Sequence, residues 1–453
     1  MLSGAQSPEI PRAGDTIRFG RGIGLVAGFI LPVIAGLLFP TYTIRVEPEF
    51  LESARQLGLV YLIGEMAVVV YARRRGCDFA AIFGEMPKWA RIALAIFLAT
   101  FWVSSAFVSQ RMPFSLGLSL GWVVHLLFAA SVYHLAGSSR VLDVRNIATG
   151  FVAGLVALAL FIAVQFAAVP AALFENSASF VNPGAIDLSS AIPGFISSRL
   201  FGSWCGAVLA LLTGIAWQHS GERGRHALYL MLALTLGLTF WTATRAAVLG
   251  WGIGLPLAWM LVGKPASSTF YTRLPIYLIG AVAIALLVPP YNNDHFTLFR
   301  WGGLDSPDVL ASGRLTLWAN ALRVAAEYPL LGSGAGSSWW LVEVQGFYHV
   351  QPHNAVVQFL LNWGLVPTIP ALALLAGATW HAHRIARRVR ELLPVILMLD
   401  CLLAMSLFDG MLHFAQFVML IFGCLAICLA HGGKCDRGAK PASSIDSGIP
   451  RRA

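Results

Sequence analysis

Charge is what this sequence has least of. Asp, Glu, Lys and Arg make up 12% of its 453 residues, whereas soluble proteins carry about 25%. With 57% hydrophobic residues and a mean hydropathy of +0.71, the chain reads as a polytopic membrane protein rather than a soluble domain. Cysteine is also scarce: six residues, none in a segment that topology places outside the cytoplasm, so no structural disulfide is expected. Cys424 and Cys428 stand one helical turn apart and read as small apolar residues on one face. The sequence contains no HExxH, CxxC or P-loop, so metalloprotease, zinc-site and NTPase readings have no support. No small-residue cleavage site follows the first apolar run, which therefore reads as an uncleaved span.

What is present is a series of apolar windows. A helix needs roughly twenty apolar residues to cross a bilayer. Such windows fall at 22–40, 56–72, 89–109, 114–136, 147–170, 198–217, 226–243, 246–263, 274–290, 354–378, 391–408 and 412–430, about twelve transmembrane helices in an all-α protein. A polar N-terminus (1–21) and a Gly-, Ser- and Pro-containing tail (431–453) flank them. With the N-terminus inside, 23 of the 31 Lys and Arg fall in inner segments, and every inner loop is basic. The net charge of +9 is therefore mainly a topological signal and argues against nucleic-acid binding. Both termini are expected in the cytoplasm. Two sizeable loops face outward: 171–197, which lacks Lys and Arg, and 291–353.

Eight cations remain on the outer side: Arg45, Arg55, Arg111, Arg199, Arg245, Arg300, Arg314 and Arg323. Most need no more than an interfacial position. Arg245 differs because it lies in the tight connection Trp241-Thr-Ala-Thr-Arg245 between two spans, where a charge calls for an anionic partner from the protein or from a ligand. Arg314 differs by helical phase. At 100° per residue, Thr316, Asn320, Arg323 and Glu327 share one face, while Leu315, Leu317, Trp318, Leu322 and Ala325 lie on the other. Arg314 sits at the centre of that apolar face. Ser312 is the expected N-cap and Pro329 the stop. An arginine in the first turn of a helix suits a phosphate, or else a carboxylate of the protein itself.

Gly332-Ser-Gly-Ala-Gly336 lacks the context of a nucleotide loop and reads as a flexible tight turn. Trp339 and Trp340 suit either an interfacial belt or a platform for sugar rings. His353 opens a span in which Asn354, Gln358 and Asn362 recur every four residues, a polar stripe expected to face the bundle interior. An imidazole there is either a base near neutral pH or a structural residue. Asp409 and His413 flank a short outer turn and are candidates for the same site. Glu65 and Asp400 lie inside spans and must pair or face a cavity. His125 and His134 read as packing residues, and Asp305 and Asp308 lack the spacing of a metal pair.

Residues 312–365 resemble the signature region of the O-antigen ligase and O-antigen polymerase superfamily. The shared features are an arginine followed by a tryptophan (Arg314, Trp318), Pro-Leu-Leu-Gly-x-Gly (Pro329 to Gly334), a His-Asn step (His353, Asn354) and Gly-Leu. Thr244-Arg245-Ala-Ala resembles the family's Ser-Arg element, and Ser406-Leu-Phe-Asp409 its acidic turn. Two departures stand out: Gln351 where ligases often carry histidine, and Thr244 for serine.

The resemblance implies a C-type glycosyltransferase fold in the bacterial inner membrane, with a large periplasmic loop bearing an amphipathic helix. It implies transfer of a preassembled glycan from undecaprenyl diphosphate to lipid A-core (ligase) or to another carrier-linked O-antigen or exopolysaccharide chain (polymerase), with no cofactor and no metal. Arg245 and Arg314 would hold the diphosphate, aided by Trp318, Asn354 and Asp409, and His353 would act on the acceptor hydroxyl. A transporter or lipid flippase, with Glu65 and Asp400 lining a path, is the alternative from another class.

Overall fold

A computed structural model describes residues 21–39, 58–138, 144–169, 174–175, 186–187, 192–218, 226–262, 268–287, 313–344 and 346–438. In chain order its helices are α1 (Arg21–Leu38), α2 (Leu59–Arg74), α3 (Phe79–Glu85), α4 (Lys88–Val103), α5 (Met112–Ser138), α6 (Val144–Ala168), α7 (Ser198–Gln218), α8 (His226–Trp241), α9 (Arg245–Val262), α10 (Ser268–Leu287), α11 (Arg314–Glu327), α12 (Ser338–Leu341), α13 (Ala355–Trp363), α14 (Leu365–Ala386), α15 (Leu393–Ser406) and α16 (Ala415–Gly438). Two ribbons of two-residue strands complete the described elements. One is parallel, β1 (Phe174–Glu175) with β2 (Ile186–Asp187); the other is antiparallel, β3 (Glu343–Val344) with β4 (Phe347–Tyr348).

The described residues are thus all-α apart from these ribbons, and each of the twelve predicted windows overlaps a described helix. Seven of the described helices are long and apolar enough to cross a membrane. The tenth window departs from expectation: 354–378 is two helices, α13 and α14, parted at Gly364. The expected N-cap Ser312 lies outside the described residues, and the cap of α11 is Gly313. Asp305, Asp308, Arg45, Arg55 and Arg300 also lie outside them.

The core is built from the most buried helix, α7, together with α15 and α16. Helix α9 runs along α15, α8 along α10, and α16 along α5. Close approach depends on small residues, as expected where lipid supplies no hydrophobic drive between helices. Gly24 and Gly28 of α1 lie against Gly150, Phe151 and Gly154 of α6, backbone to backbone. Helix directions alternate through the bundle. One end gathers the starts of α2, α5, α7, α9 and α16 with the end of α15. The other carries Arg73, Arg74, Arg75, Lys88, Arg384, Arg387, Arg388 and Arg390.

Candidate active site

The site is organised around the break between α13 and α14. Gly364 (φ 68°) ends the first helix and caps the second. A broken helix leaves carbonyl oxygens and N–H groups unpaired, and in an apolar surround each must find a partner. The Pro329–Gly334 segment supplies them. The Ser333 and Gly334 N–H groups donate to the Leu361 and Asn362 carbonyls, both at 2.9 Å. The Leu365 and Val366 N–H groups donate to the carbonyls of Pro329 and Leu330 at 2.8 and 3.0 Å. Ser104 adds a hydroxyl to the Asn362 carbonyl at 3.1 Å, and Ser115 donates to the Ala335 carbonyl at 2.8 Å. The glycine-rich segment is therefore a tight turn, as its sequence indicates, but one buried and hydrogen-bonded into the bundle rather than free at the surface.

Helix α13 presents His353 at its start. Asn354 is the N-cap: its Oδ1 accepts from the Val356 and Val357 N–H groups at 2.9 and 3.1 Å. Its Nδ2 donates to the Leu407 carbonyl at 3.0 Å, which ties the cap to the α15–α16 turn. Trp318 of α11 donates its indole N–H to the Pro352 carbonyl at 2.8 Å. Between these two anchors His353 takes a left-handed backbone, φ 55°. Gln358 and Asn362 continue the helix face inward and are buried, as their spacing predicts.

The His353 ring meets Asp409 across the turn, Nδ1 to Oδ1 at 2.8 Å. A carboxylate accepts, so in the neutral ring the pairing assigns the proton to Nδ1 and leaves Nε2 with its lone pair. Among the described residues no hydrogen-bond partner meets Nε2, and the side chain is 27% exposed. Asp409 is buried. Burial alone would raise its pKa, but the His353 hydrogen bond and charge, the Arg314 charge and the Gly410 N–H together hold it below the usual carboxylate range. Gln351 completes this side, its amide nitrogen 3.4 Å from His353 Nδ1.

Arg314 lies on the inward face of α11 with the buried Leu317, Ala321 and Ala325. Burial lowers its pKa, and Asp409 opposes that shift; a guanidinium stays charged regardless. The apolar side of α11 is not uniform, however. Leu315 and Leu322, placed with the inward residues by sequence, are exposed, and the buried face centres on Leu317, Ala321 and Ala325 instead. Arg323 is exposed, as expected.

Arg245 opens α9. The preceding turn is held by Thr242 and Thr244, whose hydroxyls are 2.8 Å apart, and by the Thr244 hydroxyl donating to the Arg199 carbonyl at 3.4 Å. Ala243 within it has φ 51°. Gly250 of α9 packs on Cys401 and Met405 of α15. Arg245 and Asp409 therefore lie at the same end of this antiparallel pair. Among the described residues, Ala243 and His353 are the two non-glycine positions with positive φ, and such strain concentrates at functional sites.

Two further imidazoles surround His353, of which His349 was not apparent from sequence. Burial, then the charge of His353, lowers its pKa. The same causes push His413 down to about 4, and the Gln358 amide approaches its Nδ1 at 3.4 Å. Deeper in the bundle, Glu65 pairs with His125 at 2.7 Å and Asp400 with His383 at 2.9 Å. His125 is thus a carboxylate partner rather than a packing residue. Among the described residues no group of three or more His, Cys, Asp or Glu is arranged to hold a metal.

An apolar helical bundle with seven described helices long enough to cross a membrane, and with a histidine–aspartate pair and arginines at one end, defines a multi-pass membrane protein. Residues 230–372, from α8 into α14, match the family described as O-antigen ligase. The chain is 24% identical over 192 residues to an O-antigen ligase of Pseudomonas aeruginosa, covering 42% of each chain. It is 23% identical over 325 residues to the exopolysaccharide production protein ExoQ of Rhizobium meliloti, covering 66% of this chain and 67% of that one. The match thus spans less than half of the first relative's length. The resemblance to the O-antigen ligase and polymerase superfamily is borne out over the segment that carries Arg245, Arg314 and His353; Asp409 lies beyond it.

Proposed function

We propose that this protein transfers a preassembled glycan from undecaprenyl diphosphate to an acceptor hydroxyl at the periplasmic face of the bacterial inner membrane. The observation that carries this reading is the His353–Asp409 pair, which leaves Nε2 uncommitted, with the half-buried Arg314 close enough for its charge to act on the Asp409 carboxylate. The acceptor oxygen attacks the anomeric carbon while the bond from that carbon to the diphosphate oxygen breaks. The electron pair leaves with the diphosphate, and the acceptor proton passes to His353 Nε2. Arg245 and Arg314 oppose the charge that grows on the leaving group, the work a metal does in other transferases.

Trp318 and Asn354 direct their polar groups to Pro352 and Leu407, and with Asp409 they hold His353 for the reaction. The basic far end of the bundle favours a cytoplasmic placement for that end and for both termini, with twelve spans in a C-type arrangement and 291–353 as the periplasmic loop. The relatives' names include both a ligase and an exopolysaccharide production protein, so lipid A-core and a second carrier-linked glycan are both candidate acceptors. For the transport alternative, Glu65 and Asp400 would be the path, yet each is paired with a histidine inside the bundle.

Complementation of a strain lacking the gene, with analysis of its glycans, tests the reading. His353→Ala and Arg314→Ala should abolish transfer while the protein inserts at normal levels. Accumulated carrier-linked chains with bare lipid A-core mark a ligase; loss of extended chains marks a polymerase. Normal glycans from both variants would overturn the assignment.

A further inference from the structure

Helix α11 carries three distinct faces rather than two. Leu317, Ala321 and Ala325 are buried against the protein. Thr316, Arg323 and Glu327 form an exposed polar strip. Leu315 and Leu322, 44% and 45% exposed, form an apolar edge between the two. Exposed apolar residues resume directly after the helix. Past the end of α11 the chain reaches Leu330, whose side chain is exposed, and whose carbonyl accepts from the Val366 N–H at 3.0 Å. That bond and the one from Leu365 to Pro329 fasten the segment to the first turn of α14. Helix α14 is a candidate membrane span that is mostly unburied, and its first turns expose Leu365, Val366 and Ile369. The segment that follows α11 is therefore moored to the first turn of a candidate span, and the helix, the segment and that turn all carry exposed apolar side chains.

We propose that α11 is seated in the surface of the bilayer, its Leu315–Leu322 edge in the hydrocarbon and its Arg323–Glu327 strip in water. A short helix with an apolar edge beside a charged strip takes this interfacial position when it stands where a span emerges. The occupant of the edge is bilayer hydrocarbon, because the segment that leaves the helix is fastened to the first turn of a candidate span. The placement has a consequence for the site. Arg314 is the first residue of the same helix and points inward, so its guanidinium is held at the depth of lipid phosphates. A phosphate attached to a membrane-embedded tail then reaches it without leaving the bilayer surface.

The test uses the full-length protein in lipid nanodiscs, with an environment-sensitive fluorophore on Leu322→Cys, on Leu315→Cys or on Arg323→Cys in a Cys435→Ala background; the other five cysteines are buried. Quenching by phosphatidylcholine brominated near the headgroup is compared with quenching by aqueous iodide. The labels at 315 and 322 should be quenched several-fold more by the lipid than the label at 323, with the order reversed for iodide. Equal iodide quenching at all three positions would overturn the proposal, as would shielding of 315 and 322 from both quenchers. The readout involves no transfer reaction, so its failure would leave the glycan-transfer reading untouched.

Discussion

Nδ1 of His353 and Oδ1 of Asp409 are 2.8 Å apart, although 56 residues separate them in the chain. The buried carboxylate fixes both the tautomer and the orientation of a ring whose other nitrogen is uncommitted. Asp409→Asn keeps the shape and removes the charge, so it should lower kcat by about 10²- to 10⁴-fold with little change in KM for the lipid-linked donor. Asp409→Glu should recover part of the loss. A kcat within twofold of the parent for the asparagine variant would remove Asp409 from the mechanism.

Trp318 acts on the same histidine from the other side. Its indole N–H holds the Pro352 carbonyl, and the next residue carries the strained φ of 55°. Trp318→Phe retains most of the ring but leaves that carbonyl unpaired, at a net cost of about 1 kcal/mol. The expected result is a roughly tenfold fall in kcat, because the anchor acts on the geometry of His353. Arg323→Ala, on the exposed strip of the same helix, should leave kcat unchanged. Equal effects from the two variants would contradict a positioning role.

Much of this arrangement was legible in the residues themselves. The apolar windows located the helices, because a bilayer imposes one length and one composition on anything that crosses it. Arg314 stood out because a charge at the centre of an apolar face needs a partner. The break at Gly364 was not legible: the hydropathy of 354–378 runs on unbroken across it, and the residues that satisfy the break lie some thirty positions upstream in Pro329–Gly334. For the same reason the glycine segment reads from sequence as a flexible turn, although it is buried. His349 carries no sequence signal: it stands between β4 and α13, outside any helical stripe, four residues before His353. His125 read as packing because its partner Glu65 stands on another helix.

The break also predicts which glycines matter. Gly332 and Gly364 both have positive φ, and a Cβ on either would strike the backbone of the other's segment. Gly313 has a similar φ of 74° but opens onto empty space. Gly313→Ala should therefore cost only the left-handed penalty, roughly 1 kcal/mol. Gly332→Ala and Gly364→Ala should cost more than about 3 kcal/mol, since backbone must move as well. Thermal unfolding in detergent, or recovery as a monodisperse peak, distinguishes them. Three equal losses would mean that backbone conformation, and not the packed break, sets the requirement.

Acid should destabilise the protein in two stages. His413 is held at about 4 in the folded state, against 6.5 for a free imidazole. Between those values the unfolded chain binds a proton that the folded chain does not, so stability falls as pH drops from about 6.5 towards 4. Asp409 acts lower. Its folded pKa lies below the usual 3.8, so its contribution is complete above that value and is lost as pH falls through the folded pKa. His413→Gln removes the first group without adding a charge, and it should flatten the melting temperature between pH 6.5 and 4 while leaving the decline below 4 in place. Asp409→Asn should do the reverse. A first stage that persists unchanged in His413→Gln would assign it to another group, with His349, whose pKa is also lowered by burial, the next to substitute.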